Sequence, residues 1–447
     1  MTQPIDLQNF FQQHAVRDVE CLFPDVSGYP RGKLMPARSF AKGEELRIAQ
    51  AIPMQAITGD YSYHPIFPDA DPDIRLVPDY STLNMVPWSS VPRAFAIHDC
   101  VELDGSLCSF APRSVLKNVL AAYSALGLTP VVAPEIEFYL VAANNNPDLP
   151  FLAPAAKNGR AEAGQSAFSM NMLNELAPFW DEFNASIDAL GIRGDTWIHE
   201  VGQSQYEINL VHGDPLMLAD QAFLFKYAAK EIAIKHGMNA VFMAKPIAGQ
   251  PGSSMHLHQS IVDANGKNIF CDGDGDESNS DRFHHFIGGL QKYLPDLMLI
   301  FAPSVNSFRR FISGSQAPVN LQWGVDNRTA GLRIPLSGPL ARRVENRIAG
   351  ADANPYLAIA ASLAAGLAGI VEKLAPSEAV TGSAYDCSHD LAPTFMAAHE
   401  RMINSASARR LLGEAFITAF TAVKQLEYAS YLYEIGAWER RFLGPQT

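Results

Sequence analysis

Two glutamates alternate with apolar side chains in the segment PEIEFYL, residues 134–140. This segment and the LTPVVA before it predict a β-strand that enters a core. Residues i and i+2 of a strand share a face, so Glu135 and Glu137 project together while Ile136 and Phe138 point the other way. Two like charges that face an interior repel each other and lose hydration unless a cation neutralises them. The segment therefore predicts a bound cation.

Further acidic and imidazole side chains occur where a core is expected. HEVGQSQYEINL contains Glu200 and Glu207, and KPIAGQPGSSMHLHQS places His256 and His258 on one face of a predicted strand. Carboxylates with a histidine suit Mg²⁺ or Mn²⁺ better than zinc. Taken singly, a strand glutamate is usually exposed and a histidine is usually a hydrogen-bonded bystander. The metal-site hypothesis therefore depends on these motifs coming together.

Arginines are concentrated in two later segments. NSFRRFISGSQAPVN contains Arg309 and Arg310, and WGVDNRTAGLRIPLSGPLARRVENRIAG contains Arg328, Arg333, Arg342, Arg343, Glu345 and Arg347. Several arginines beside divalent metals are typical of phosphoryl transfer, whereas a single arginine run is usually a solvated face or a structural ion pair. No Walker A or G-x-G-x-x-G sequence occurs, so a P-loop or Rossmann turn is not expected to hold a nucleotide.

Composition narrows the possible partners and the compartment. The 447-residue chain has a net charge of −13, which argues against a nucleic-acid partner. Its five cysteines are scattered and form no C-x-x-C pair, which favours a reducing compartment. No signal peptide is visible, and the apolar stretch 357–371 is too short to span a bilayer, so it predicts a buried helix. We expect a cytoplasmic protein without a membrane partner.

The order of predicted elements indicates a small β-rich region followed by a larger mixed one. Residues 1 to about 105 carry short strand-like runs broken by prolines, and a helix is predicted at 111–127. Alternating helices and strands after it indicate an α/β or α+β catalytic domain. Further helices are predicted at 168–190, 214–236, 281–299, 354–373, 391–402 and 404–428, and strands at 129–141, 204–211, 239–246, 253–262 and 329–336. The acidic run DGDGDESNSDRF departs from the EF-hand pattern and predicts a surface loop.

The motifs, in their order, resemble those of the glutamine synthetase superfamily, class I. The shared series is P-E-x-E-F, H-E-x-G-x-x-Q-x-E, G-x-x-M-H-x-H-x-S, N-S-x-x-R, N-R-x-x-x-x-R-x-P and R-x-E-x-R. The resemblance implies an α+β fold with an N-terminal β-grasp domain, residues 1–105, and a catalytic domain, residues 106–447, whose antiparallel strands form half a barrel. It also implies a homododecamer of two hexamer rings. Each active site would lie between one catalytic domain and the neighbouring subunit's N-terminal domain.

The resemblance also implies roles for individual residues. Metal ligands would be Glu137, Glu200 and Glu207 for a first ion, and Glu135, His256 and Glu345 for a second ion on the ATP phosphates. The two neighbouring glutamates of PEIEFYL would thus serve different ions, Mg²⁺ or Mn²⁺. Nucleotide contacts would be His258, Ser260 and Arg343, and the arginines at the transferred phosphate would be Arg328 and Arg333. Substrate glutamate would be bound by Arg310 and Arg347, with Gly252 and His256 also on the substrate side.

Some positions depart from the family pattern. Gln316 stands where glutamine synthetases carry a glutamate that binds ammonium and removes a proton from the incoming nitrogen. The segment ITGDYSYH replaces the usual D-G-S-S, so Asp60 alone matches the catalytic position that a neighbouring subunit supplies. Leu340 replaces a lysine that contacts the nucleotide, and the surroundings of Tyr385 match the regulatory adenylylation site poorly, so that control is not expected.

These observations predict an ATP-dependent γ-glutamyl–amine ligase. The resemblance implies that ATP phosphorylates the γ-carboxylate of glutamate and that an amine then attacks the acyl phosphate. The segments WGVDNRTAGLRIP and QPGSSMHLHQS resemble the branch that glutamylates polyamines such as putrescine, spermidine or spermine. Alternatives are a glutamine synthetase that uses ammonia, with Gln316 a tolerated variant, and a catalytically weak homologue with a sensor or structural role.

Overall fold

The computed structural model describes residues 6–62, 67–271, 278–315, 317–388 and 391–446. Gln316 and residues 272–277, the first half of the acidic run at 272–283 that was compared with an EF-hand, lie outside the described residues.

The N-terminal region folds around a mixed sheet. The strands of this sheet lie in the order β2 (Pro30–Pro36), β1 (Asp18–Pro24), β6 (Arg93–Val101), β4 (Asp73–Pro78) and β3 (Leu46–Ala49), and β5 (Asn84–Met85) pairs with β6. Strands β1 and β6 run parallel and the other described pairs run antiparallel. The arrangement is the β-grasp fold expected from the sequence. The α-helices of this region are α1 (Leu7–Gln13) and α2 (Ala37–Ala41).

The remainder of the chain forms a second, curled sheet surrounded by helices. Its helices are α3 (Pro112–Ser124), α4 (Met170–Glu175), α5 (Ala177–Ala189), α6 (Pro215–Lys235), α7 (Asp281–Phe301), α8 (Pro355–Glu372), α9 (Phe395–Ile403), α10 (Ala406–Leu412), α11 (Glu414–Tyr433) and α12 (Ala437–Phe442). Its strands are β7 (Leu128–Ala142), β8 (Gly194–His199), β9 (Gln205–Leu210), β10 (Met238–Val241), β11 (Met255–Asp263), β12 (Trp323–Val325), β13 (Leu332–Ile334) and β14 (Val344–Asn346).

The second sheet has the order β12-β13-β14-β11-β7-β9-β8, and β10 pairs with the end of β7. Apart from the short parallel pair β12–β13, the described pairs are antiparallel. The α+β class and the half-barrel sheet expected from the sequence are confirmed. Strand β7 lies at the centre, so its two glutamates have a neighbouring strand on each side.

The apolar stretch at 357–371 is the interior of α8, as expected. Within the described residues, α8 is the one helix long and apolar enough to be a candidate membrane span, but 83% of that window is buried inside the fold. Burial of this kind is ordinary for the core helix of a globular protein. Helices α7 and α8 pack so closely that a Cβ atom on Gly369 would lie only 2.1 Å from the carbonyl oxygen of His285.

Two predicted helices are each divided in the structure. The helix predicted at 168–190 becomes α4 and α5, because Leu176 leaves the helical conformation and Pro178, in the first turn of α5, has no backbone N–H to continue the ladder. The helix predicted at 404–428 is divided into α10 and α11 by Gly413, whose φ is +98°. The prediction also missed β8, β12 and β14, and it made the strands at 239–246 and 329–336 too long.

Candidate active site

The strand register brings the separate sequence motifs into one cluster. Glu135 of β7 lies opposite His256 of β11, and Glu137 lies opposite Glu207 of β9. On the far side of β11, Glu345 of β14 lies opposite His258. Opposing residues in an antiparallel pair have side chains about 5 Å apart on the same face. Four strands distant in sequence therefore supply one row of carboxylates and imidazoles.

Glu135 is held by both histidines of β11. Nδ1 of His256 lies 3.2 Å from Oε2 of Glu135, and Nε2 of His258 lies 2.7 Å from Oε1. Burial raises the pKa of the Glu135 carboxyl, but the hydrogen bonds from His256 and His258 and their electrostatic interaction with the carboxylate outweigh burial and bring the pKa well below its usual range. Glu135 is therefore an anion in this cluster.

Glu137 and Glu207 lie in a different electrostatic environment. Oε2 of Glu137 accepts a hydrogen bond from the backbone N–H of Ser254 at 2.7 Å. Burial, followed by the charge of Glu200, raises the pKa of Glu137 above its usual range, and burial followed by Glu137 raises the pKa of Glu207. Buried carboxylates that repel one another in this way are stabilised as anions by a cation between them.

Glu345 is almost fully buried and paired with two arginines. Nη1 of Arg347 lies 2.5 Å from Oε1 of Glu345, and Nη1 of Arg333 lies 2.7 Å from Oε2. Nδ1 of His256 lies 3.6 Å from Oε1 as well. Burial raises the pKa of Glu345, but the charge of Arg347 and the interaction with His256 lower it by more than burial raises it. The pKa of Glu345 therefore lies below its usual range.

Among the described residues, two groups of ligand atoms are close enough to hold a metal ion. Glu135, Glu207 and His256 form one, and Glu135, His258 and Glu345 form the other; within each group the atoms lie within 4.8 Å of one another. Oxygen-rich sets with one imidazole match the preference of Mg²⁺ and Mn²⁺. The residues present therefore fit divalent ions. The grouping differs from the two sets that the family resemblance implies. Glu135 belongs to both groups, His258 lies within one of them, and Glu137 and Glu200 lie in neither.

Two cavities meet at this cluster, and both are lined by Glu135 and Asn209. The larger, of about 740 Å³, is lined by the six expected metal ligands and by Gly252, Arg310, Arg328, Arg333 and Arg347. The smaller, of about 640 Å³, is lined by His258, Ser260, Arg343 and Leu340 among others. The structure thus places the residues expected to bind glutamate in one cavity and those expected to bind nucleotide in the other.

Arg310 is buried at the end of a 3₁₀ turn, Ser307–Arg310, and two of its N–H groups are already used. Nη1 donates to the carbonyl oxygen of Ile348 at 2.9 Å and Nη2 to that of Arg347 at 2.8 Å. Burial lowers the pKa of Arg310 to about 10, against the opposing effect of Glu137. A Cβ atom on Gly252 would lie 2.7 Å from Cγ of Arg310, so a glycine is needed where the chain passes this arginine.

Asp60, one of the expected site residues, stands apart from the cluster. Asp60 is exposed and lines neither cavity, and its carboxylate accepts a hydrogen bond from Thr58 at 2.8 Å. Gln316 lies outside the described residues, although Ser315 and Ala317 on either side line the larger cavity.

The structure also adds to the larger cavity residues that were not among the expected site residues. Phe168 lies on its wall, is 73% exposed and has a φ of +61°, which is rare for an aromatic residue. Lys245 and Gln205 line the same cavity. Lys245 and Gln205 belong to quoted motifs and could have been found from them, whereas the sequence carries no pattern that marks Phe168.

The family model for the glutamine synthetase catalytic domain matches residues 109–443. The chain belongs to the glutamine synthetase superfamily. A glutamate–isopropylamine ligase from a Pseudomonas species is 33% identical over 98% of this chain and 97% of that protein. The glutamine synthetase of Pyrococcus abyssi is 34% identical over 93% of this chain and 90% of that protein. A solved complex of GmaS with ADP superposes with a TM-score of 0.84 at 29% identity and covers 98% of both chains.

The family and the reaction class expected from the sequence are thereby confirmed. The protein is a ligase that forms C–N bonds. Enzymes of this family use ATP and divalent metal ions, and their relatives join glutamate to an amine or to ammonia.

Proposed function

We propose that this ligase joins the γ-carboxylate of glutamate to an organic amine in preference to ammonia. The observation that carries the proposal is Gln316, a neutral residue where glutamine synthetases are expected to have a carboxylate. Ammonium is small and strongly hydrated, so a site that captures it needs an anion to offset desolvation. A glutamine is nearly isosteric with glutamate but takes up no proton near neutral pH. Two of the similar proteins are a glutamate–isopropylamine ligase and GmaS, a γ-glutamylmethylamide synthetase.

In this proposal the two cavities hold the two substrates that react first. Glutamate binds in the larger cavity, with its carboxylates on Arg310 and Arg347, while ATP enters the smaller one beside His258, Ser260 and Arg343. The phosphate chain then lies near Glu135, which lines both cavities. Metal ions bound by Glu135, Glu137, Glu200, Glu207, His256 and Glu345 would neutralise the phosphate charge.

The reaction proceeds in two steps. A γ-carboxylate oxygen of glutamate attacks the γ-phosphorus of ATP, and ADP leaves with the electrons of the broken P–O bond. Arg328 and Arg333, which line the larger cavity, offset the negative charge that develops on the transferred group. The amine nitrogen then attacks the carbonyl carbon of γ-glutamyl phosphate, inorganic phosphate leaves and the nitrogen loses a proton, for which Asp60 of a neighbouring copy is our candidate acceptor.

Among organic amines we propose a di- or polyamine such as putrescine, spermidine or spermine. Methylene groups add apolar contact area, and a distal ammonium group is attracted by a protein with a net charge of −13. A second candidate is ordinary glutamine synthesis, which the similarity to the enzyme of Pyrococcus abyssi favours.

We further propose a division near residue 105 and a homododecamer of two rings. The last helices expose a set of large apolar side chains that water would cover in a single chain, namely Tyr431, Leu432, Tyr433, Ile435, Trp438, Phe442 and Leu443. Exposed apolar patches of this kind mark surfaces of association. Association would also bring Asp60 of one copy to the larger cavity of another.

Phosphate release measured with glutamate, ATP and a panel of amines tests the proposal. The panel contains ammonia, methylamine, isopropylamine, putrescine, spermidine and spermine, and mass spectrometry identifies each amide. We expect an organic amine to exceed ammonia by at least about tenfold in kcat/KM, which corresponds to ~1.4 kcal/mol in the transition state. Gln316→Glu should shift the preference toward ammonia. If the wild-type enzyme makes free glutamine faster than every γ-glutamylamine, glutamine synthesis replaces this proposal.

A further inference from the structure

A buried carboxylate outside every motif of the sequence contacts the turn that carries Glu200. Glu162 precedes β8 by a long segment, and its side chain is only 9% exposed although the neighbouring residues are largely exposed. Its Oε2 accepts a hydrogen bond from the backbone N–H of Ser204 at 2.7 Å and lies 3.1 Å from Nε2 of His199. The contacts therefore connect Glu162 to both ends of the turn at 199–204.

His199 transmits this contact to Glu200. Its ring is completely buried, and Nδ1–H donates to the carbonyl oxygen of Glu200 at 2.8 Å while Nε2 faces Glu162. With one ring nitrogen on a carbonyl and the other on a carboxylate, rotation of the ring would break both contacts. Both backbone groups of Glu200 are therefore held. Its carbonyl oxygen accepts from His199, and its N–H donates to the carbonyl oxygen of Gln205.

Two strained residues are held by the same network. Ser204 has a φ of +57° and donates its N–H to Glu162, and Phe168 has a φ of +61° and donates its N–H to the carbonyl oxygen of His199. A left-handed conformation costs a residue other than glycine about 1–2 kcal/mol, so the surrounding contacts must hold it in place. Strain of this kind is concentrated at functional sites.

The second carboxylate oxygen of Glu162 is buried as well. Its Oε1 has no hydrogen-bond partner among the described residues. A polar atom left in this state costs free energy, which offsets part of the stabilisation that the contacts of Oε2 provide.

We propose that Glu162 is a positioning residue for the metal site: through His199 and Ser204 it fixes the turn that directs the Glu200 carboxylate at the carboxylate cluster. This inference rests on the proposed role of Glu200 as a metal ligand. The same segment reaches the cavity in which glutamate is proposed to bind, because Gln165 and Phe168 line it together with Glu200. Residues that orient metal ligands from behind typically contribute 10- to 100-fold to metal affinity.

The test is a titration of the purified, metal-free, full-length enzyme with Mn²⁺ alone, in which free Mn²⁺ is followed by electron paramagnetic resonance. We expect Glu162→Ala to weaken Mn²⁺ binding by about tenfold or more. Glu162→Gln should weaken it less, since an amide oxygen still accepts from Ser204. Glu175→Gln is the matched control: Oε2 of Glu175 is also buried without a described partner beside the same segment, but no described contact joins it to His199 or Ser204.

Thermal unfolding of each variant completes the design. A purely structural role would lower the melting temperature and leave the Mn²⁺ affinity of the folded protein unchanged, and this result would overturn the inference. If Glu162→Ala does not fold, an unchanged affinity in Glu162→Gln and His199→Gln overturns it as well. Glu200→Gln separates the two levels of the argument. If Glu200→Gln binds Mn²⁺ as tightly as the wild type, the assignment of Glu200 as a metal ligand fails, and the inference fails with it. If Glu200→Gln binds Mn²⁺ more weakly but Glu162→Ala binds it as tightly as the wild type, the inference alone fails.

Discussion

At the scale of single residues, the cluster divides into two kinds of carboxylate. Glu135 and Glu345 have cationic or hydrogen-bonding partners and pKa values below the usual range, whereas Glu137 and Glu207 are buried beside one another with raised pKa values. A cation would stabilise the second pair most, because that pair has the least compensation from the protein. The stability of the metal-free fold and the activity of the enzyme should therefore respond in opposite directions to changes at these positions.

Glu137→Gln tests this opposition. The variant keeps an acceptor for the N–H of Ser254 but removes a buried charge next to Glu200 and Glu207. We expect activity to fall by on the order of a thousandfold, because several kcal/mol of charge compensation at the phosphate is lost. The melting temperature of the metal-free protein should rise. Glu378→Gln, at an exposed site, is the control. Activity close to that of the wild type at saturating metal would contradict the assignment.

Arg310→Lys tests the proposed glutamate contact with less risk to the fold than removal of the side chain. Arg310 supports the carbonyl groups of Arg347 and Ile348 and still has donors for a ligand in the larger cavity. A lysine lacks the planar fork that binds a carboxylate through two parallel hydrogen bonds. We expect the KM for glutamate to rise by about tenfold or more and the KM for ATP to stay within about twofold.

The adjacent Arg309 offers the control for that experiment. It is exposed, so Arg309→Lys should leave both KM values unchanged. Steady-state kinetics with each substrate varied in turn gives the comparison. A raised KM for ATP with an unaltered KM for glutamate would show that Arg310 serves the nucleotide.

At the scale of elements, the site depends on a register that the sequence shows only in part. Alternation in PEIEFYL predicted that Glu135 and Glu137 share a face of a strand, and the structure has them there in β7. The pairing of Glu345 with Arg333 depends on β13 and β14, three-residue strands too short to carry a periodic signal. The contact between Glu162 and His199 joins a strand end to an irregular segment, and no local pattern encodes it.

The close packing of helices α7 and α8 can be tested by adding one methyl group. In Gly369→Ala the new Cβ would lie 2.1 Å from the carbonyl oxygen of His285 and 2.5 Å from Cα of Gly289, so α7 and α8 must separate. Alanine favours a helix by about 0.5–1 kcal/mol, but overpacking costs about 1–3 kcal/mol, so the clash prevails. We expect a melting temperature lower by several degrees. Gly382→Ala, where nothing lies within 4 Å, should leave it nearly unchanged. A melting temperature of Gly369→Ala equal to that of the wild type would show that α7 and α8 adjust without strain.

At the scale of the whole molecule, the sequence predicted the α+β class and the family because many short motifs occur in a fixed order along the chain. The association of chains is harder to predict, because it depends on surfaces assembled from distant segments. In the single chain, the larger cavity is lined by all six proposed metal ligands and by Arg310, Arg328, Arg333 and Arg347, yet Asp60 lies outside it. The proposed dodecamer accounts for this separation by supplying Asp60 from a neighbouring copy.

Mixed assemblies of two inactive variants test whether copies share a site. Each site would need Arg310 from one chain and Asp60 from its neighbour, so Asp60→Asn and Arg310→Ala should each abolish activity alone. In assemblies refolded or co-expressed from equal amounts of both variants, about a quarter of the sites would combine an intact Arg310 with an intact neighbouring Asp60, because each condition is met with a probability of about one half in a closed ring. We therefore expect about a quarter of the wild-type rate of γ-glutamylamide formation. Light scattering on the same samples verifies that mixed and wild-type assemblies have equal mass. If Asp60 served the site of its own chain, no chain would carry both residues, and the mixture would stay as inactive as its components.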